Sequence, residues 1–339
     1  MIHGHGDDYQ GELKANFSSN VWADGDNAAL KRHLSEQLHA IDRYPEPYAT
    51  SLRQRIALKS AIVPNELLVT NGSVEAFYLI AQAFQGALSL IKTPTFSEYA
   101  DACRLYSHRM LTSTEHDLFD TIAAQSPNLV WICNPNNPDG YTYSIEILRS
   151  YLKAFPHTIF IIDQAYAGFT HAKSFDLNDI HHYSNLLIVE SLTKRYAIPG
   201  LRLGYVVGNE ELIARIAGCQ QPWTVNALAI VAGHFLLDGY SDSFDLTAWI
   251  AESAWLQREI DAIPYLKVKA SNLPYFLVRL HAGKAADLKQ YLVFRQLLIR
   301  DASNFDGLHG EWIRICALRH EQNSLLLDEL KRWSQYITV

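Results

Sequence analysis

The chain has 339 residues, of which 48% are hydrophobic and 19% charged, and a formal net charge of −7. That length exceeds the usual single core and the composition can fill one, so a large domain with a smaller companion is expected. The acidic balance argues against a nucleic-acid footprint, which needs a basic surface, and no apolar run approaches the ~20 residues that span a bilayer.

In chain order, the opening Met1-Ile-His-Gly-His-Gly-Asp-Asp8 lacks the basic-then-apolar layout of a secretory signal, and a cytoplasmic location is expected. Residues 27–41 carry Leu30, Leu34, Leu38 and Ile41 at helical spacing, and the breaker Tyr44-Pro-Glu-Pro47 ends that helix. A second helix is predicted to start at Thr50, with Thr50 as its N-cap. Strands and helices then alternate to about residue 210, with strands at 67–70, 87–91, 128–133, 158–163, 186–191 and 203–207 and helices at 73–84, 97–106 and 144–155. Continuous apolar strands separated by amphipathic helices predict an α/β fold whose mostly parallel sheet is covered on both faces. After residue 222 come helical stretches over 224–262, short strands at 275–280, 297–301 and 312–316, and a terminal helix from His320. This α+β pattern predicts a small domain built from 241–339 together with the N-terminal segment 1–42, beside a large domain over 43–240.

Cys103, Cys133, Cys219 and Cys316 form no Cys-x-x-Cys pair, so neither a zinc site nor a disulfide framework is expected, and a reducing compartment suits them. The histidine neighbours His3/His5 and His181/His182 stand outside any His-Glu-x-x-His helix and read as solvated or structural; no metal is expected.

Five segments fall at the ends of predicted strands, where open α/β sheets place their ligands. Thr70-Asn-Gly-Ser-Val-Glu75 puts small residues at a helix start, where backbone N–H groups and the helix dipole favour an anion. Thr93-Pro-Thr-Phe-Ser-Glu-Tyr99 offers Phe96 or Tyr99 to lie on a heterocycle, and Asn134-Pro-Asn-Asn-Pro-Asp-Gly140 offers side-chain amides directly after an apolar strand. Asp163-Gln-Ala-Tyr166 ends a strand in a carboxylate, which is costly there unless paired. Ser191-Leu-Thr-Lys194 supplies an amine, and Arg202 beyond it supplies a cation that can depress the amine's proton affinity or bind a phosphate. Taken singly these are an N-cap, a core aromatic, a turn, a charged strand end and a solvated lysine; together and in this order they form one constellation.

That constellation resembles the fold-type-I pyridoxal-phosphate (PLP) enzymes of the aspartate aminotransferase superfamily, class I/II, over almost the whole chain. The resemblance implies the PLP-dependent transferase-like fold and PLP as cofactor, with Lys194 as the Schiff-base lysine. It implies that Asp163 pairs with the pyridine nitrogen, and that Tyr166 and Asn137 bind the ring hydroxyl. Phe96 would stack on the ring, and Gly72, Ser73, Val74, Ser191, Thr193 and Arg202 would hold the phosphate. Tyr44 of the Tyr-Pro element would reach the phosphate of a neighbouring subunit, which implies a homodimer. Within the superfamily the branch of threonine-phosphate decarboxylases and histidinol-phosphate aminotransferases is most similar. The opening His3-Gly4 with Asn16-Phe-Ser-Ser-Asn20, the loop Pro94-Thr-Phe-Ser-Glu-Tyr99, and Leu298–Leu308 with Trp312-Ile-Arg-Ile-Cys316 tilt toward the decarboxylases.

The implied substrate is a phosphorylated amino acid or amine. Decarboxylation of L-threonine O-3-phosphate, serving cobalamin side-chain synthesis, is the leading expectation, and transamination of histidinol phosphate or a related amino acid is the alternative. Asn20, Arg300, Arg314 and Arg319 are the candidate substrate-binding residues, Arg314 first, because a guanidinium grips carboxylate or phosphate bidentately. Surface or interdomain ion pairs are their ordinary alternative. Gln164, Val74 and Asp139 depart from the family's usual residues, as does Trp22, which is expected near the substrate entrance. A non-catalytic binding module with this fold would be expected to have lost the lysine, which is present.

Overall fold

The computed structural model describes residues 6–22, 27–240 and 244–333; His3, His5 and Gly4 lie outside the described residues. A short strand β1 (Ala15–Asn16) precedes helices α1 (Ala28–Glu36) and α2 (Thr50–Lys59). Next come β2 (Leu67–Thr70), α3 (Gly72–Ala83), β3 (Leu88–Lys92), α4 (Glu98–Leu105), β4 (Arg109–Ser113), α5 (Leu118–Gln125), β5 (Leu129–Cys133), α6 (Ile145–Ala154) and β6 (Ile159–Asp163). Beyond them lie β7 (Leu186–Ser191), the single turn α7 (Leu192–Arg195), β8 (Gly204–Val207), α8 (Glu210–Ala217), α9 (Ala227–Leu237) and α10 (Leu246–Asp261). The chain closes through β9 (Leu266–Lys269), β10 (Tyr275–Leu280), α11 (Ala285–Val293), β11 (Leu297–Leu298), β12 (Arg300–Asp301), β13 (Trp312–Cys316) and α12 (His320–Trp333).

Seven strands form one sheet in the order β2-β8-β7-β6-β5-β3-β4, in which β8 alone runs antiparallel to its neighbours. The apolar runs are continuous because both faces are covered. Along β5, Leu129, Trp131 and Cys133 pack on one side with α3 and α4, whereas Val130 and Ile132 pack on the other with α2, α6 and α9. A second, antiparallel sheet has the order β12-β13-β10-β9. Phe276, Val278, Ile313 and Ile315 bury one of its faces against α10, α11 and α12. By the two-residue period of a strand, Arg314 and Cys316 must point the other way, toward the large sheet.

Three local expectations change. Thr50 is the first helical residue rather than the cap: Ala49 precedes it at φ +46°, and the Glu46 carboxylate accepts from the Ser51 N–H at 2.6 Å. The stretch 297–301 is two strands, β11 pairing with β1 and β12 with β13. β4 and β9 escape the sequence pattern because each lies at a sheet edge, where its residues are only partly covered. Within the N-terminal segment, β1 joins β11, while Leu30 of α1 packs on Ala232 and Leu236 of α9. Among the described residues no helix is long and apolar enough to cross a membrane.

Candidate active site

Two connected cavities of about 470 and 80 Å³ open at the C-terminal ends of the parallel strands, and both are lined by Val74, Phe96, Asn137, Tyr166, Lys194 and Arg202. The position follows from the topology. Each strand ends its hydrogen-bonded run at this edge and releases a loop or a helix N-terminus into one crevice.

Lys194 sits in α7, directly after β7, so its amine is held between the two sheets. Burial, reinforced by the positive fields of Arg314 and Arg202 and opposed by Asp163, lowers its pKa to about 8. Asp163 ends β6 and is 4% exposed. The Tyr99 hydroxyl donates to its Oδ2 at 2.5 Å and the Ala165 N–H to its Oδ1 at 2.9 Å. Burial still outweighs these donors and raises the Asp163 pKa, which marks a carboxylate lacking a full counter-charge. Tyr166 is buried, with its ring edge-on to Tyr275 at 5.0 Å.

The smaller cavity ends in an anion cradle. Ser73 and Val74 open the 12-residue α3, and the Ser191 and Thr193 hydroxyls lie 2.8 Å apart beside them. Gly72 stands at φ +76°, and a Cβ there would meet Arg202 Nη2 at 2.5 Å. A Cβ on Gly204 would lie 2.6 Å from the Ser73 backbone nitrogen. Only glycine lets the guanidinium and the helix N-terminus converge.

The larger cavity is cationic. Arg300 and Arg314 stand opposite each other in the β12–β13 register and are 6% and 5% exposed. Arg314 donates to Asn137 Oδ1 and to the Ser18 carbonyl; Arg300 donates to Asn304 Oδ1 at 2.7 Å. Neither forms a carboxylate ion pair among the described residues. Burial lowers both pKa values, that of Arg300 to about 10 with Arg314 adding to the shift. Asn20 is buried in the wall of the same cavity, beside Tyr166.

These residues fit PLP. The cradle matches a phosphate, Asp163 a protonated pyridine nitrogen and Lys194 an aldehyde carbon. Phe96 lines both cavities, as a ring-stacking residue should, whereas Tyr99 is buried behind it as the donor to Asp163.

One expected substrate-binding residue lies elsewhere, and Tyr44 stands outside its own chain's site. Arg319 is exposed ahead of α12 and lines neither cavity, since β13 has already ended at Cys316. Tyr44 is 86% exposed, its ring 5.5 Å from that of Trp223, outside both cavities of its own chain. Trp22 is 6% exposed and packs edge-on against Phe244 at 4.8 Å, and its backbone N–H donates to the Lys194 carbonyl at 3.4 Å. Sequence reading also missed Ser19, Tyr78, Glu98 and Phe305 on the cavity wall; of these, Ser19, Glu98 and Phe305 had a signal, since they lie within the motifs Asn16–Asn20, Pro94–Tyr99 and Leu298–Leu308.

Residues 13–330 match the family described as aminotransferase class I and II. The threonine-phosphate decarboxylase of Salmonella typhimurium is 30% identical over 327 residues, covering 93% of this chain and 90% of that one. The histidinol-phosphate aminotransferase of Thermoanaerobacter pseudethanolicus is 30% identical over 304 residues, covering 86% and 84%. The crystal structure of L-threonine-O-3-phosphate decarboxylase from Porphyromonas gingivalis superposes with a TM-score of 0.92 at 40% identity, covering 95% of this chain and 99% of that one.

Proposed function

The chain belongs to the class I and II aminotransferases, a family that uses pyridoxal 5′-phosphate, and from that premise we propose that it decarboxylates L-threonine O-3-phosphate. The observation that carries this reading is the facing pair Arg300 and Arg314, buried beside Lys194 without a carboxylate ion pair among the described residues. Two buried guanidiniums call for two anionic groups on one ligand, and a phosphorylated amino acid carries both. The 40% identity to a decarboxylase of known structure supports the same choice. Histidinol phosphate has a single anionic group, but the 2-oxoglutarate that accepts its amino group carries two carboxylates, so its transamination is the second reading.

When bound, PLP supplies a protonated pyridine that draws electrons from the substrate's Cα. Asp163 would hold the proton on that nitrogen, and Tyr99 and Ala165 hold Asp163. The cradle of Ser73, Ser191, Thr193 and Arg202 would anchor the phosphate, and Asn137, Tyr166 and Phe96 would orient the ring. Arg300 and Arg314 would turn the substrate so that its carboxylate leaves as CO₂ with the bonding pair kept at Cα, and Lys194 Nζ would return a proton there, a general-acid contribution of ~10²–10⁴-fold. Tyr44 completes the cradle of the opposite protomer in a cytoplasmic homodimer, and the product would serve cobalamin side-chain synthesis.

The purified holoenzyme should release CO₂ from O-phospho-L-threonine without a keto acid. Absence of release, with 2-oxoglutarate-dependent turnover of histidinol phosphate in its place, would establish the second reading.

A further inference from the structure

Two residues beyond Asn137, Asp139 is 1% exposed and lines neither cavity, yet it is tied to both sheets. Its Oδ1 accepts from the Asn136 side chain at 2.6 Å and from the Tyr141 N–H at 3.1 Å. Its Oδ2 accepts from Lys269 Nζ at 2.9 Å, and Lys269 ends β9 of the antiparallel sheet. From the large sheet, Lys92 at the end of β3 brings a fully buried ammonium to 3.7 Å from that same oxygen. Lys92 Nζ makes no hydrogen bond among the described residues and is otherwise balanced by Glu115 at 3.5 Å.

A buried ammonium held by ion pairs and by the Tyr141 ring 5.3 Å away, with no hydrogen bond, is tolerated only while its counter-charges stay in place. Asp139 therefore lies between cations from two sheets, and drawing the antiparallel sheet away would uncover first Asp139 and then Lys92. The same sheet reaches this turn again through Arg314, which donates to Asn137. Gly140, at φ +73°, leaves no room behind the turn: a Cβ there would lie 2.1 Å from Oγ of Ser271, just past β9. Asn136 also donates to the Pro94 carbonyl at 2.8 Å, so the loop that carries Phe96 hangs on the same carboxylate.

We propose that Asp139 and Lys269 are positioning residues: their ion pair fixes the antiparallel sheet, and with it Arg300 and Arg314, over the Lys194 pocket, so that the anion-binding cavity is formed before substrate arrives. The claim rests on the reading that these arginines take the substrate's anionic groups.

Lys269→Met is the leading test, because that side chain is 41% exposed and its loss leaves Asp139 with Lys92. In the holoenzyme, KM for O-phospho-L-threonine should rise about fivefold or more, with kcat within about twofold and PLP affinity unchanged. Asp139→Asn keeps an acceptor for Asn136 and Tyr141 while removing the charge, and should act in the same direction. Because both act through one contact, the double variant should lose no more than Asp139→Asn alone. Amide hydrogen exchange of the resting holoenzyme gives a substrate-free readout: both single variants should exchange faster over 134–141 and in β9. Unchanged KM and exchange in Lys269→Met, additive losses in the double variant, or kcat and PLP affinity falling with KM would each overturn the proposal. If the wild-type enzyme turns over neither O-phospho-L-threonine nor histidinol phosphate, the functional reading fails. The exchange comparison then decides the positioning role alone, faster exchange supporting it and unchanged exchange refuting it.

Discussion

The Tyr99 hydroxyl donates to Asp163 Oδ2 at 2.5 Å from a fully enclosed site, its ring stacked on Trp131 and edge-on to Phe77. The contact gives a buried carboxylate one of the few donors that keep it ionised. Tyr99→Phe preserves the ring packing and removes that donor alone. The bond is present in the cofactor-free chain and a hydrogen bond to a charged group contributes ~1.5–3 kcal/mol, so PLP affinity should fall by about tenfold and the apoprotein's Tm should fall as well. Equilibrium dialysis with PLP measures the first and thermal unfolding the second; unchanged affinity would mean that Tyr99 only fills space.

Lys194 predicts a pH dependence for cofactor uptake. Its pKa is lowered to about 8 by burial and by Arg314 and Arg202, so the reactive neutral amine accumulates as pH rises toward 8 and then saturates. Stopped-flow capture of PLP by the apoprotein should accelerate about tenfold per pH unit below that point and level off above it. An unperturbed lysine would keep accelerating beyond pH 10, and Lys194→Ala should show no covalent phase at all.

Glu190, next to the catalytic segment, accepts from the Gln164 amide at 2.9 Å. Burial raises its pKa to about 8, Asp163 adds to the rise and Gln164 opposes it. A raised folded-state pKa means that the native protein binds this proton more tightly than the unfolded chain does. The stabilisation is complete below pH 4.5 and is lost as pH climbs to about 8. Glu190→Gln removes the titration, so its Tm relative to wild type should rise across that interval and stay level above pH 8. A constant difference between the two melting curves from pH 5 to 9 would contradict this.

What could be read from sequence divides along physical lines. Lys194, Asp163 and Asn137 stand in segments that close apolar strands, so their places at the crevice follow from local pattern and the geometry of parallel sheets. Arg314 was legible because Ile313 and Ile315 flank it in a strand, which sends it to the face away from the helices. Arg319 lies past the strand end, where no period assigns a direction. Trp22 and Tyr99 were decided by partners far along the chain, Phe244 for one and Asp163 for the other, and no local spacing encodes either contact. Asp139 read as a change within a turn; its meaning came from Lys92 and Lys269, which only the assembled sheets bring to it.

Tyr44 offers a test of assembly that uses the geometry of a shared site. Its side chain is 86% exposed and lies outside its own chain's cavities, so a role at the cofactor phosphate requires a second protomer. Tyr44→Phe should weaken PLP binding by about three- to tenfold, the worth of one hydrogen bond to a charged group at a partly solvated site. Hybrids with Lys194→Ala then discriminate between own-site and cross-site action. In a mixed dimer, the Tyr44→Phe subunit keeps its lysine and would receive an intact tyrosine from its partner, giving one fully competent site. The other site would lack the lysine and receive phenylalanine. Random reassociation of equal amounts makes half the dimers hybrid, so about a quarter of the sites should bind PLP with wild-type affinity. If Tyr44 acted within its own subunit, or not at all, no site in the mixture would bind PLP more tightly than Tyr44→Phe alone.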